Sequence, residues 1–251
     1  MKVIFHKRFY ETYTSDPASA PGRMEAIVRE LEGTFDFIEP GPASDRDLER
    51  AHGRSHIQSV RQEGLVYDIG VLAAGGAILA AELAYEHQPV FGLIRPPGHH
   101  ASPHSCWGFC FFNNIAVAIK RLIHDGKIRR ALILDFDLHF GDGTANTFQG
   151  SQDVIYSHPE GSTRSQFLKD LQKALETERA YDILAVSAGF DRHEEDWGGL
   201  LKTEDYFDIG TWVKKSSFKH CQGRRFGVLE GGYNHAVLGR NVKGFLQGLM
   251  D

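Results

Sequence analysis

The chain has little cysteine and no surplus of positive charge, and each shortage excludes a class of protein. Of 251 residues only Cys106, Cys110 and Cys221 are cysteines. So odd and sparse a set is no disulfide framework of the kind small secreted domains rely on, and the expected setting is a reducing cytoplasm. No second Cys pair accompanies Cys106 and Cys110, so those thiols read as structural or lining groups rather than metal ligands. Lysine and arginine number 28 against 33 acidic residues, a formal net charge of −5, which lacks the basic footprint of a nucleic-acid binder. Long apolar runs are missing too. The start, Met1–His6, is too short in its apolar part for a signal peptide, and no run approaches the roughly eighteen apolar residues of a membrane span, so no membrane partner is expected. What is present is an ordinary globular composition, 41% hydrophobic and 24% charged, sufficient for one sizeable core and expected to form a single domain over residues 1–251.

Apolar runs bounded by turn residues place strands at Lys2–His6, Thr34–Ile38, Val90–Ile94, Ala131–Leu134, Val154–Tyr156, Asp182–Val186 and Phe226–Leu229. Between them fall helical patterns: Arg23–Glu32 with its stripe of Met24, Ile27, Val28 and Leu31, a short helix opened by a Ser44/Asp47 capping box, Ser55–Gly64, Val71–Tyr85, Phe112–Ile123, Ser165–Glu178, Thr203–Phe218 and the C-terminal segment. The paired Gly75 and Gly76 in the Ala-rich helix mark close backbone approach rather than phosphate binding. Alternation of this kind predicts an α/β fold with a mainly parallel sheet covered on both faces.

The stretch on which the rest turns is Leu134–Gly143, Leu-Asp-Phe-Asp-Leu-His-Phe-Gly-Asp-Gly. While the backbone stays extended, Asp135, Asp137 and His139 share one side and Phe136, Leu138 and Phe140 the other. A carboxylate and an imidazole two positions apart can converge on one divalent ion of the zinc type. Alone, Asp-x-His reads more readily as a strand end whose Asp residues cap the next helix and whose glycines make the turn. Three other strand ends bear on the choice, because His99-His100, Asp191 and Tyr233 each follow an apolar strand, and in a parallel sheet those ends face one crevice. Asp137, His139 and Asp191 make three ligands with a position left open, the arrangement of a catalytic rather than structural metal. His99 and His100 supply proton transfer, and Tyr233 a hydrogen bond to a developing oxyanion. The sum is amide hydrolysis.

Arg95-Pro-Pro-Gly-His-His-Ala, Gly108-Phe-Cys-Phe-Phe-Asn-Asn, the Asp135–Gly143 stretch, Ser187-Ala-Gly-Phe-Asp and Glu230-Gly-Gly-Tyr together resemble the zinc-dependent histone deacetylase and acetylpolyamine amidohydrolase family, from about Val90 to the C-terminus and more loosely before. The resemblance implies a three-layer α/β/α arginase-like fold, with zinc, or iron in its place, on Asp137, His139 and Asp191. It implies that His99 and His100 are the tandem histidines oriented by Asp135 and Asp142, and that Tyr233 polarises the carbonyl. It also implies a monovalent cation, usually potassium, on the Asp135 side chain and the carbonyls of Asp137 and His139, with Tyr156-Ser157-His158 beyond. Phe109 matches one aromatic wall of the acyl-lysine tunnel and Gly108 the backbone beside it; Trp107 stands where Met is common, and Phe140 where a second His is. Tyr67-Asp68 resembles a rim Asp that grips substrate backbone, and Arg23 an arginine near an internal channel.

The family usually carries a long loop with a second tunnel aromatic between the positions of Ser157 and Asp191. Here His158-Pro-Glu-Gly leads almost at once into a helix, so the pocket is expected to be shorter or more open. The expected substrate is a small acylated amine, a polyamine or an acyl-lysine, with the oligomeric state left open. Two other readings stand beside this one: an arginase- or agmatinase-like ureohydrolase, which needs a two-manganese cluster, and a non-catalytic binding module on the same fold.

Overall fold

Runs of β-branched and aromatic residues make seven strands: β1 (Lys2–Ile4), β2 (Asp36–Ile38), β3 (Val90–Gly92), β4 (Ala131–Asp135), β5 (Val154–Ser157), β6 (Ile183–Ala188) and β7 (Arg225–Leu229). They form one sheet in the order β2-β1-β3-β7-β6-β4-β5, with every neighbouring pair parallel. The computed structural model describes residues 1–176 and 180–250. Strands β3, β4, β6 and β7 are buried along their whole length, which explains why they read as continuous apolar runs rather than alternating ones.

The helices are α1 (Arg23–Leu31), α2 (Asp45–Glu49), α3 (Arg54–Arg61), α4 (Leu65–Tyr85), α5 (Asn114–His124), α6 (Asp142–Thr147), α7 (Arg164–Leu175), α8 (Thr203–Cys221) and α9 (His235–Met250). They pack in two groups, α4 with α5 and α1 with α8 and α9, and both groups touch the central strands. The Ser44/Asp47 capping box forms as expected, each residue's side chain accepting the other's backbone N–H. The expected end of α7 near Glu178 lies outside the described residues.

Two differences from the sequence reading have plain causes. Helix α4 starts at Leu65, six residues before the expected Val71, and its 21 residues are long and apolar enough to cross a membrane by length and composition. Its apolar face is instead met by α5, β3 and β7, and 67% of that stretch is buried. Gly75 lies directly against the Gly41–Ala43 backbone, where any Cβ would collide, so it serves the close approach expected of it. Helix α6 was not foreseen: a Gly-Asp-Gly opening and only six residues give almost no periodic signal.

Because the sheet is all parallel, its carboxyl ends line one edge. The four strands whose ends carry the chemical motifs, β3, β7, β6 and β4, are consecutive neighbours. That adjacency brings His99, Tyr233, Asp191 and Asp137 together.

Candidate active site

Asp137, His139 and Asp191 meet beyond β4 and β6, each offering a ligand atom within 4.8 Å of the others. His139 Nδ1 lies 3.3 Å from Asp137 Oδ1 and 3.2 Å from Asp191 Oδ2. Tetrahedral bonds of about 2.0–2.1 Å give ligand-to-ligand edges of roughly 3.4 Å, so these spacings suit a zinc-sized ion. Asp191 Oδ1 accepts the Leu138 N–H at 3.0 Å, but its Oδ2 is buried with no hydrogen-bond partner. A buried, unpartnered carboxylate oxygen is costly unless a cation completes it, and the donor set therefore fits a divalent metal.

The electrostatics agree. Burial and the neighbouring Asp137 push the Asp191 carboxyl up to about 6. Burial also opposes ionisation of Asp137, but His99, His139 and the Gly231 N–H overcome it and hold its carboxyl below the usual range. Its hydrogen bond to Asp137 and the nearby Asp191 carboxylate raise His139 to about 10. The pocket thus concentrates negative charge where an ion is to sit. Gly231 permits this crowding, since a Cβ there would come within 2.6 Å of both Asp137 Oδ2 and Asp191 Oδ2.

The tandem histidines stand beside this group with ring centroids 4.0 Å apart. His99 Nδ1 donates to Asp135 Oδ2 at 3.1 Å, and His100 Nδ1 donates to Asp142 Oδ1 at 2.6 Å. Both pairings hold the proton on Nδ1 and leave Nε2 for the pocket. The two rings nonetheless differ. Burial pushes His99 down, but Asp137 and Asp135 outweigh it and its proton affinity ends well above ordinary. Burial and then His99 push His100 below ordinary, with Asp142 only partly opposing. Such a split separates a neutral base from a cationic partner.

Tyr233 follows β7 and is clamped through its backbone, because Asp196 Oδ2 accepts the N–H groups of both Tyr233 and Asn234 at 2.8 Å. Burial, then Asp137 and Asp191, push its phenol well above the ordinary value, so it keeps its proton as a donor. Buried Arg23 supports the same turn from below, donating to the Gly232 and Glu230 carbonyls at 2.8 and 2.6 Å.

These groups line a cavity of about 110 Å³ bounded by Pro97, His99, His100, Trp107, Gly108, Phe109, His139, Trp197 and Tyr233. Phe109 enters it from a left-handed backbone, φ +66°, a conformation a bulky residue keeps only when its surroundings impose it. Trp107 stacks on His100 with centroids 4.1 Å apart, and its Nε1–H donates to Asp142 Oδ2 at 2.8 Å. Opposite, Trp197 stacks on Tyr233 at 4.1 Å and stands edge-on to His139.

The histone deacetylase domain family matches residues 17–159 and 156–249. The chain belongs to that family. It is 32% identical to a probable deacetylase of Methanothermobacter thermautotrophicus over 98% of this chain and 90% of the relative. It is 31% identical to acetylpolyamine amidohydrolase 2 of Pseudomonas aeruginosa over 67% of this chain and 58% of that protein. The crystal structure of the HDA15 HD domain superposes on it with a TM-score of 0.84, covering 100% of this chain and 91% of the other at 23% identity, a likeness of fold.

Against what the family resemblance implies, three positions differ. Trp197, six residues past Asp191 in the loop after β6, lines the cavity on the side expected to be open. A lone Trp before paired glycines in a loop that begins at a ligand was the available signal. Asp68 is not among the lining residues; it accepts from Arg8 at 3.4 Å, while Tyr67 pairs with Arg61 and Asp45. Of the ligands the resemblance implies for potassium, Asp135 accepts from His99, the Tyr156 hydroxyl and the Asp137 N–H, and the Asp137 carbonyl accepts from Arg192. Among the described residues one further cluster of ligand type exists, His99, Cys110 and Glu230. There burial keeps the Cys110 thiol protonated, and Glu230 accepts the Gly98 and His99 N–H groups.

Proposed function

We propose that the chain is a metal-dependent amidohydrolase that removes an acetyl group from a primary amine on a slender chain: a small acylated amine, a polyamine or a lysine side chain. Asp137, His139 and Asp191 would hold the ion, zinc or iron. The observation that carries this reading is the buried, unpartnered Asp191 Oδ2 facing His139 Nδ1 at the base of a cavity lined by His99, His100 and Tyr233. A divalent ion there lowers the pKa of water and polarises an amide carbonyl.

The protein's own groups account for the rest. His100, kept neutral by burial and with its Nδ1–H fixed on Asp142, takes a proton at Nε2 and returns it to the leaving amine. His99, drawn toward its charged form by Asp135 and Asp137, stabilises negative charge developing beside it. The Tyr233 phenol donates to the oxyanion, a contribution of about 3 kcal/mol for one such donor.

The cavity also bears on the substrate. A cavity of roughly 110 Å³ is well below the roughly 300–1,000 Å³ of drug-sized ligand sites, so it suits an acetamide head and the first methylenes of the amine rather than a long acyl chain. Trp107 and Trp197 are each about half exposed at the mouth, where flat aromatic faces suit an alkyl stem ending in a cation. The Asp that could hold a peptide backbone at the rim is turned to Arg8 instead. Small N-acetylated amines should therefore exceed acetylated histone peptides in kcat/KM under identical metal loading. A tenfold advantage for the peptide, about 1.4 kcal/mol in transition-state binding, would contradict this substrate class.

A further inference from the structure

Arg192 follows Asp191 directly, yet its side chain turns away from the cavity and reaches under the end of β4. It is 6% exposed. Its Nε donates to the carbonyls of Phe136 and Asp137 at 3.2 and 3.0 Å, and its Nη2 to those of Leu138 and Pro159, each at 3.3 Å. The same Nη2 lies 3.2 Å from His158 Nε2, and the guanidinium carbon sits 4.4 Å over the Phe167 ring. An arginine carries no acceptor and stays charged, so His158 Nε2 must accept. That fixes the His158 proton on Nδ1, which is buried, without a hydrogen-bond partner, and 4.0 Å from Asp135 Oδ1.

This arrangement is a cation site whose cation is tethered. Carbonyls 136 to 138 point at one positive charge, as they would at a bound ion, and they belong to the segment that carries Asp137 and His139. The surroundings suit a guanidinium better than a hard ion: one of the partners is an imidazole nitrogen, whereas hard cations take oxygen ligands. Asp135 accepts from His99 and Tyr156 at Oδ2 and from the Asp137 N–H at Oδ1, and Oδ1 lies 4.0 Å from His158 Nδ1.

We infer that the Arg192 guanidinium, held on the carbonyls of Phe136, Asp137 and Leu138, is a built-in cation that takes over the role of the potassium implied by the family resemblance, with the Asp137 carbonyl the ligand the two would share, so that this chain needs no monovalent ion. Its work is positioning. It shapes the loop bearing Asp137 and His139 and places positive charge behind Asp135, Asp137 and Asp191. Through His158 it also faces a proton toward Asp135, the carboxylate that orients His99.

The test titrates the metal-loaded full chain with KCl against tetramethylammonium chloride at constant ionic strength. Thermal midpoint and zinc affinity, by chelator competition, are read without any substrate, so the outcome is independent of the proposed reaction. The wild type should respond equally to the two salts. A potassium site occupied a hundredfold above its Kd would raise the midpoint by roughly 5 to 10 °C in a chain of this size, and such a rise in the wild type overturns the inference. Arg192→Ala should bind zinc about 10- to 100-fold more weakly, as for other partners behind metal ligands, and potassium alone of the two cations should recover part of that loss. If the variant folds and potassium recovers nothing, Arg192 is a structural clasp and not a cation substitute. Should Arg192→Ala not fold, Arg192→Lys serves instead: retained zinc affinity supports the inference, and loss equal to that of Arg192→Met overturns it.

Discussion

Asp191 has two unlike oxygens, one satisfied by the Leu138 N–H and the other buried without a donor. Asp191→Asn should therefore lose most of the bound metal, since two remaining ligands hold a divalent ion poorly, as elemental analysis of the purified variant would show. Stripped of metal, the same variant should unfold no earlier than metal-free wild type, because the substitution removes a carboxylate crowded by Asp137; a markedly lower midpoint would mean that Asp191 is structural. Tyr233→Phe should keep the metal and cut turnover about 10²- to 10³-fold, and full activity would assign carbonyl polarisation elsewhere. Trp197 tests the wall. Its truncation to Ala forfeits apolar contact worth about 25 cal/mol per Å², so kcat/KM for an acetylated amine should fall roughly tenfold while bulkier acyl groups gain relative to acetyl. Unchanged acyl preference in Trp197→Ala would remove it from the substrate site.

At the scale of the elements, the strand ends were legible because their signal is local: an apolar run, then polar residues at a spacing of two, then glycine. His99, His100, Asp137, His139, Asp191 and Tyr233 lie at the strand ends that logic singled out, whereas the pairing of Asp135 and Asp142 with the tandem histidines was implied by the family resemblance alone. Trp197 and Arg192 escaped it because each acts on a partner far away in sequence, Tyr233 and the carbonyls after β4, and neither disturbs a local period. His52 belongs with them. It accepts the Asn113 N–H at Nε2, 2.9 Å, and its Nδ1 donates to the Ser102 carbonyl at 3.1 Å, tying α5 to the loop after the tandem histidines. Burial, with His56 adding to it, pushes its ring down to about 3 from the ordinary 6.5. Below pH 6.5 the unfolded chain binds a proton that the native one refuses, so this stability is complete above 6.5 and is lost as the pH falls toward 3. Urea midpoints should therefore decline through that interval, with a slope from His52 approaching about 1.4 kcal/mol per pH unit. His52→Gln should flatten the decline, and an identical slope in the variant would contradict the assignment.

For the molecule as a whole, the all-parallel sheet order makes neighbours of β3, β7, β6 and β4, and the candidate centre exists only because all four ends meet. Binding that joins two of those ends through Asp137, His139 and Asp191 stabilises the native chain by mass action, so chelation should lower the thermal midpoint without altering the sheet. The most direct measurement adds metal stepwise to the metal-free chain while acetate release from an N-acetylated amine is followed. Activity should rise in proportion and level off at one equivalent per chain, with Asp191→Asn remaining inactive throughout. Activity that needs two equivalents of manganese and acts on a guanidinium substrate, or the absence of acetate release at every loading, would contradict the account.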